Sequence, residues 1–355
     1  RAASASILEL VSVASTHPSD VSPRIDLPEM LAAVDIGTNS VHMVIARVSG
    51  RSHFEVVTRH KEVVRLGSGA DDMRLLTDDA IDRGIAALAR CRQMADSFGA
   101  ELTAVATSAV READNAAVFL DRARREAGVE VDVISGMEEA RLIHLGMLQS
   151  LPIYDQRVLL CDIGGGSTEL LLGEGEDVLA ARSFKLGAIR MTERFFPGGD
   201  VSPDGVTACR RHVAEALTLF RRETTAVEFS SFAVTSGTAE CLVRMAILRR
   251  GDGPPRTMNG ATITRAELSA VVAEVVGAPD ADARRGLRGM EDNRADIIVG
   301  GAIVLDVVAE KFRAEHLTFS DAALREGVLL DALQRLTGDD LSHLSELRRR
   351  SALHL

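Results

Sequence analysis

The chain is poor in aromatic residues. It has no tryptophan and one tyrosine, and aromatic side chains make up 3% of its 355 residues. Single-stranded nucleic acids bind proteins largely by stacking bases on aromatic rings, so this scarcity argues against a nucleic-acid partner. The core must instead be built from Leu, Val, Ile and Ala, since 46% of the residues are hydrophobic.

Cysteines are also few, and apolar runs are short. The four cysteines, Cys91, Cys161, Cys209 and Cys241, lie far apart without a Cys-x-x-Cys pair, which predicts neither a disulfide framework nor a zinc site. No apolar run reaches the length of a membrane span. We therefore expect a cytoplasmic protein that does not contact a membrane. Residues 1–30 contain Ser and Pro and are predicted to form a poorly ordered extension without chemistry.

Lysine is scarce as well, and the 52 acidic residues outnumber the 41 lysines and arginines. The formal net charge is −11, which repels nucleic acids and free polyanions at long range, so a polyanion site must be locally basic. Lys61, Lys185 and Lys311 are the only lysines, and the arginine bias is explained by base composition better than by selection for binding. The length of the chain predicts two domains.

One short pattern occurs twice. Asp-Ile-Gly-Thr-Asn-Ser at 35–40 recurs as Asp-Ile-Gly-Gly-Gly-Ser at 162–167, each time between apolar, β-branched segments that predict strands. Glycines let backbone N–H groups converge on phosphate oxygens, and hydroxyl groups add donors. An ordinary glycine hairpin explains either copy alone about as well, but the two together favour a pair of phosphate loops. The candidate phosphate-binding residues are Gly37, Thr38, Asn39 and Ser40 in the first loop and Gly164, Gly165, Gly166, Ser167 and Thr168 in the second.

Each loop begins with an aspartate at a strand end. Asp35 and Asp162 would repel a phosphate unless a cation lay between them, so they predict a bound Mg²⁺ or Mn²⁺, held partly through water. Glu169 is the next acidic residue and is a candidate to share that metal. Because both loops lead into a second strand, neither is a Walker A loop or a dinucleotide fingerprint, which open a helix.

Strands and helices alternate through the rest of the chain, which predicts an α/β architecture in each half. In the first half we predict strands at 58–65, 102–107 and 131–134, and helices at 77–98, 113–127 and 136–149. In the second half we predict strands at 180–184 and 232–235, and helices at 203–224, 238–248, 265–276, 295–312 and 323–336.

Three further segments are candidates to face the crevice between the halves. Arg111 follows a strand, where ligand sites of α/β sheets lie, although a surface pair with Glu112 or Asp114 explains it equally well. Ser236, Gly237 and Thr238 offer hydroxyl groups and a helix N-terminus to an anion, and a plain N-cap is the alternative. Glu138 and Glu139 open a helix. Helix-dipole stabilisation is the simpler interpretation there, and the other is that one of them takes a proton from an attacking water.

The motifs at 33–40, 106–113, 134–141 and 162–169 resemble, in this order, those of the exopolyphosphatase/guanosine pentaphosphate phosphatase (Ppx/GppA) family, within the actin, sugar-kinase and heat-shock ATPase superfamily. The resemblance covers about residues 31–336. It implies two ribonuclease-H-like (actin-like ATPase) domains around a central cleft, at 31–141 and 142–336, followed by a tail at 337–355. We expect this chain to lack the helical HD-like module that longer members carry at the C-terminus, and we therefore expect short polyphosphates to be favoured.

The resemblance also implies residue roles. Glu139 matches the general base, Asp162 and Glu169 match metal-associated positions, and Arg111 matches a basic residue near the terminal phosphate. The expected reaction is metal-dependent hydrolysis of the terminal phosphoanhydride of inorganic polyphosphate by a homodimer. The alternatives are hydrolysis of guanosine pentaphosphate, a sensor of guanosine tetra- or pentaphosphate with little turnover, and a nucleotide-driven ATPase or kinase.

Overall fold

The computed structural model describes residues 27–50, 53–67, 73–251, 253 and 255–337. Most of the expected N-terminal extension and nearly all of the expected tail therefore lie outside the described residues. Among the described residues, no helix is long and apolar enough to cross a membrane.

The first half of the chain forms a five-stranded sheet in the order β3-β2-β1-β4-β5. β1 pairs antiparallel with β2 and parallel with β4, β2 pairs antiparallel with β3, and β5 is parallel to β4. The strands are β1 (Met30–Ile36), β2 (Ser40–Val48), β3 (Phe54–Val63), β4 (Glu101–Ala106) and β5 (Val131–Val133).

The second half repeats this arrangement in a six-stranded sheet of order β8-β7-β6-β9-β11-β10. The strands are β6 (Arg157–Ile163), β7 (Thr168–Glu174), β8 (Asp177–Phe184), β9 (Ser231–Thr235), β10 (Thr262–Thr264) and β11 (His316–Phe319). As in the first sheet, three consecutive strands, β6, β7 and β8, form an antiparallel meander. β9 and β11 continue the sheet in parallel on the other side of β6, and β10 pairs antiparallel with β11 at the edge. The predicted α/β fold of two ribonuclease-H-like halves is confirmed.

Helices cover and join the two sheets. They are α1 (Asp78–Ser97), α2 (Ser108–Glu112), α3 (Ala116–Ala127), α4 (Gly136–Ser150), α5 (Ala188–Phe195), α6 (Pro203–Ala216), α7 (Thr218–Glu223), α8 (Ser236–Arg249), α9 (Arg265–Gly277), α10 (Ala281–Arg285), α11 (Ile298–Lys311) and α12 (Leu324–Thr337). Local capping defines several starts: the side chains of Thr77 and Ser135 accept from backbone N–H groups of α1 and α4, and Thr264 and Glu267 form a capping box on α9.

Several element predictions are wrong. The helix predicted at 113–127 is α3 and begins three residues later, at Ala116, while the separate helix α2 before it was not predicted. The helix predicted at 203–224 is divided into α6 and α7. The segments that form α5, α10, β10 and β11 were not predicted. β10 and β11 have three and four residues, too few to show a period, and they are fixed by pairing with distant strands.

Each sheet has its own apolar core, and a third cluster joins the halves around α4 and α12. The two helices touch at glycines, since a Cβ atom on Gly327 would lie 1.8 Å from the carbonyl oxygen of Leu142. The boundary predicted between residues 141 and 142 falls inside α4, so the division into 31–141 and 142–336 stays a prediction.

Candidate active site

The two glycine loops have the same turn geometry. Gly37 N–H donates to the Ser40 carbonyl over 3.0 Å, and Gly164 N–H donates to the Ser167 carbonyl over 3.0 Å. Each turn connects the two strands of an antiparallel hairpin, β1 and β2 or β6 and β7. An aspartate, Asp35 or Asp162, lies near the end of the first strand, just before the turn. The repeated hexapeptide therefore encodes a repeated structure.

The loops face each other across the cleft between the halves. Cβ atoms built on Gly165 and Gly166 would lie 3.0 and 2.8 Å from atoms of the Thr38 side chain. Glycine is needed at these positions because any side chain would push the loops apart. The cleft between them has a volume of about 520 Å³.

Most of the candidate site residues line this cleft. They are Gly37, Thr38, Asn39 and Ser40, Gly164, Gly165, Gly166 and Ser167, Ser236, Gly237 and Thr238, and the carboxylates Asp35, Asp162, Glu169 and Glu139. Residues separated by up to about two hundred positions in the chain thus meet at one place.

Two candidates lie beside the cleft rather than along it. The hydroxyl of Thr168 is buried and donates to the Leu186 carbonyl over 2.9 Å, because side chains alternate faces along a strand and its neighbours Ser167 and Glu169 face the cleft. Arg111 is held at the back of the site, where its Nη1 donates to the Ile134 carbonyl over 3.0 Å.

Glu139 projects from the first turn of α4 and is 7% exposed. Its Oε2 accepts a hydrogen bond from Arg111 Nη1 over 2.9 Å. Glu138 points elsewhere and pairs with Arg141 over 2.6 Å, because successive helical residues are rotated by about 100°. Only the second glutamate of the pair faces the cleft.

The cleft floor holds four carboxyl groups with raised pKa values. Desolvation raises the pKa of Glu139 to about 8 against the lowering effect of Arg111, and it raises the pKa of Asp162 to about 8 with a further contribution from Glu169. The pKa of Glu169 is raised to about 8 by burial and by Glu139. The pKa of Asp35 rises to about 6, again through desolvation. The positive charge around these four carboxyl groups is therefore too small to offset the cost of ionising them.

The donor set fits a hard divalent cation bound in part by water and by substrate. Asp162 Oδ1 is buried and has no hydrogen-bond partner, while Glu169 Oε1 accepts from Ser183 Oγ over 2.7 Å. Among the described residues, no three His, Cys, Asp or Glu side chains are grouped so that they could hold a metal ion. Mg²⁺ is usually bound through one or two carboxylates plus substrate phosphates, so such a grouping is not needed.

Ser236, at the start of α8, has a strained backbone. Its φ of +76° is in the left-handed region, which is uncommon for residues other than glycine. Non-glycine residues in this region cluster at ligand sites, where the surrounding structure holds them in place. The strain is consistent with a hydroxyl group that must face the cleft and Asp162.

A group of basic side chains also lines the cleft, and the sequence analysis missed it. It comprises His42, Arg59, Lys61, Arg294 and Arg325. Burial and the charge of Arg294 lower the pKa of Lys61, and burial and Arg325 hold the pKa of His42 well below its ordinary value. One usable signal was the alternation on β3, where Arg59 and Lys61 share a face and Lys61 pairs with His42 of β2.

The model of the Ppx/GppA phosphatase family matches residues 44–336. The chain belongs to this family. A Haemophilus influenzae protein provisionally named an exopolyphosphatase is 31% identical over 300 residues, which cover 84% of this chain and 90% of that protein. The Photobacterium profundum guanosine-5'-triphosphate,3'-diphosphate pyrophosphatase is 30% identical over 319 residues. That match covers 90% of this chain and 62% of the longer relative.

Solved structures of Ppx/GppA proteins have the same fold. An exopolyphosphatase from Cytophaga hutchinsonii superposes with a TM-score of 0.80 at 27% identity, over 86% of this chain and 98% of that one. The Aquifex aeolicus family member gives a TM-score of 0.72 at 28% identity, over 86% of this chain and 98% of that chain.

Proposed function

We propose that the protein is a divalent-metal-dependent exopolyphosphatase that removes the terminal phosphate of inorganic polyphosphate, with short chains preferred. The observation that carries the proposal is Glu139, a buried carboxyl group that faces both phosphate loops in one cleft. Family membership supports hydrolysis of a phosphoanhydride, and the exopolyphosphatase from Cytophaga hutchinsonii has the same fold.

The two loops and Glu139 divide the work of the reaction. The loop amides and hydroxyl groups of both halves bind the terminal phosphoryl group and hold it in line with a water molecule. Glu139 accepts a proton from that water as its oxygen attacks phosphorus. The bond to the bridging oxygen breaks, inorganic phosphate forms, and the rest of the chain leaves one unit shorter.

The raised pKa of Glu139, about 8, suits this role because a general base works best with a pKa near the operating pH. Arg111 keeps the carboxylate oriented through their 2.9 Å contact. Asp162, Glu169 and Asp35 would hold Mg²⁺ or Mn²⁺, which supplies charge neutralisation on the phosphoryl oxygens when it is bound.

The basic side chains of the cleft give the rest of the substrate a place to bind. The protein carries a net charge of −11, so a polyanion requires local positive charge to approach. Lys61, Arg294 and Arg325 provide that charge on the same cleft as the loops.

Guanosine pentaphosphate is the second candidate substrate. The Photobacterium profundum relative is named for activity on guanosine-5'-triphosphate,3'-diphosphate, and this chain spans 62% of its length. Both substrates end in the same phosphoanhydride, and the same loops and base would serve either. A sensor of guanosine tetra- or pentaphosphate with weak turnover is the remaining option.

The test compares phosphate release by the purified protein with Mg²⁺ from short polyphosphate, long polyphosphate, guanosine pentaphosphate and ATP. The proposal predicts the highest kcat/KM on short polyphosphate and loss of release on chelation of the metal. Release from guanosine pentaphosphate alone would promote the second candidate, and no release from any substrate would contradict both.

Two further parts of the proposal concern the setting of the protein. A cytoplasmic location is supported by its four cysteines, all buried and free, which need no oxidising compartment. A homodimer is proposed from the family resemblance and is testable by sedimentation.

A further inference from the structure

Arg190 is a buried arginine with no part in the chemistry proposed above. It lies on α5, and its side chain is 3% exposed. Its Nε donates to the carbonyl of Gly166 in the second phosphate loop over 2.9 Å. Its Nη2 donates to Glu112 Oε1, on the first half of the protein, over 3.0 Å. Burying a guanidinium is costly unless its charge is paired, and here the pair joins the two halves.

Glu112 receives several donors at this junction. Its Oε1 also accepts from Ser108 Oγ over 2.8 Å, and its Oε2 lies 2.6 Å from Lys185 Nζ. Its side chain is 14% exposed. Hydrogen bonds between charged groups in such partly buried places are stronger than those between neutral groups. Glu112 therefore ties its own helix to two cations of the opposite half.

The helix that Glu112 ends packs Ala109 and Val110 into the core of the first half. α2 has five residues, and its N-cap residue Thr107 makes no capping hydrogen bond with its side chain. It carries Ser108, which lines the cleft, and Arg111, which contacts Glu139 over 2.9 Å. The contact of Glu112 with Arg190 thus links the helix that carries Arg111 to the Gly166 carbonyl of the second phosphate loop.

We propose that Glu112 and Arg190 are a positioning pair for the hydrolysis, an inference that rests on the proposed function. Within the described part of the chain, neither residue is among those that line the cleft, so they act from behind it. The pair holds Ser108 and Arg111 in register with the second phosphate loop, and through Arg111 it holds Glu139. Losing the pair should affect the transition state more than substrate binding.

The test compares Glu112→Gln and Arg190→Gln with a matched control, Asp306→Asn. Asp306 is also a buried carboxylate held by two cations and a serine, namely Arg210, Arg265 and Ser269, but it lies on α11 away from the cleft. All three variants should lose thermal stability. Only Glu112→Gln and Arg190→Gln should lower kcat, by about 10- to 100-fold, since small displacements in a site cost that much. KM should change by less than about threefold.

The double variant adds a second criterion. Because the inference assigns the loss of kcat to the contact between Glu112 and Arg190, the double variant Glu112→Gln/Arg190→Gln should have a kcat close to that of the more impaired single variant. Losses that multiply, or a Glu112→Gln variant with the kcat of the wild type, would overturn the inference and leave the pair a purely structural contact.

A measurement without turnover separates this inference from the proposed function. In protein labelled with ¹⁵N-arginine, the guanidinium signal of Arg111 is identified by its loss in Arg111→Lys. It should shift in Glu112→Gln and stay in place in Asp306→Asn, and an unmoved signal in Glu112→Gln would refute the pair's positioning role. If the wild type releases no phosphate from any substrate, the proposed function fails, and the Arg111 signal alone decides whether the pair positions α2.

Discussion

Arg111 and Glu139 form a 2.9 Å ion pair that links the end of α2 to the first turn of α4 at the back of the cleft. The side chains are 21% and 9% exposed, so the pair is largely removed from water. This contact places the proposed base on one side of both phosphate loops. Arg111 had two interpretations from the sequence, a phosphate ligand or a surface ion pair, and the structure gives it a third position, beside the base.

Removing Arg111 should move the acid limb of the pH–rate profile. Burial raises the pKa of Glu139 to about 8, and Arg111 lowers it, so Arg111→Gln should raise that pKa further. Because the base acts in its ionised form, the limb of kcat/KM that rises with pH should shift upward by about one unit or more. Arg111→Lys, which keeps the charge, is the control and should shift the limb less. A limb that does not move in Arg111→Gln would contradict the assignment of this limb to Glu139.

The carboxyl groups of the cleft should destabilise the metal-free protein at high pH. An aspartate carboxyl group ordinarily has a pKa of 3.8, and the pKa of Asp162 in this cleft is about 8. A carboxyl group whose pKa is raised in the folded state stabilises that state at pH values below its pKa in the unfolded chain. This stabilisation is lost as the pH rises through the pKa of the folded state. Without divalent cations, the melting temperature should therefore fall between pH 6 and pH 8.5, and Mg²⁺ should restore it.

Asp162→Asn separates this effect from general titration. At pH 8 without metal, this variant should be more stable than the wild type by about 2 kcal/mol, and Mg²⁺ should raise its melting temperature much less. Asp306→Asn removes a carboxylate that arginines neutralise and should destabilise instead. A metal-free Asp162→Asn protein less stable than the wild type at pH 8 would argue against crowded, desolvated charge in the cleft.

Gly187 is where a single methyl group should disturb the second phosphate loop. A Cβ atom there would lie 2.2 Å from the Gly165 carbonyl oxygen and 2.3 Å from Gly166 N. Gly187→Ala should cost about 1–3 kcal/mol of stability by overpacking and should also lower turnover. Gly277→Ala, at the end of α9, meets no atom within 4 Å and should be neutral or stabilise by up to about 1 kcal/mol. Chemical denaturation and phosphate release of both variants check this, and equal behaviour would disprove the packing argument.

Lys61 should contribute to binding more than to the chemical step. It lines the same cleft as the two glycine loops. Lys61→Gln should raise KM for polyphosphate about 10-fold and leave kcat within about twofold, as expected when uniform binding is lost. The rise should shrink at high salt, because ions screen charges that face solvent. Lys311→Gln changes an exposed lysine at the end of α11 and should alter neither constant. A fall in kcat alone for Lys61→Gln would place that lysine at the reacting phosphate.

The parts of the site that the sequence predicted are those encoded locally. Each hexapeptide supplies its own glycines and flanking strands, so both loops and both aspartates followed from a few adjacent residues. Glu139 was ambiguous because a glutamate in a first helical turn is stabilising without any function. Its burial by the opposite half, which the sequence does not show locally, is what distinguishes it from Glu138.

The parts that were missed depend on distant contacts. Arg325 and His42 are 283 residues apart in sequence and 3.3 Å apart at the cleft, so no window of sequence brings them together. α5 was missed for a similar reason. Its first turn is fixed by the second phosphate loop, whose Gly164 and Gly165 carbonyls accept its N–H groups over 2.9 Å, and its buried Arg190 pairs with Glu112 from the other half of the chain.

The most direct test of the account is phosphate release from short polyphosphate by the wild type and Glu139→Gln, with Glu138→Gln as control. We expect Glu139→Gln to lose about 10²- to 10⁴-fold in kcat, as is typical on removal of a general base, while it still binds polyphosphate. Glu138→Gln should keep near-normal turnover, because Glu138 pairs with Arg141 outside the cleft. Equal losses in the two variants, or a Glu139→Gln protein with the turnover of the wild type, would contradict Glu139 as the base.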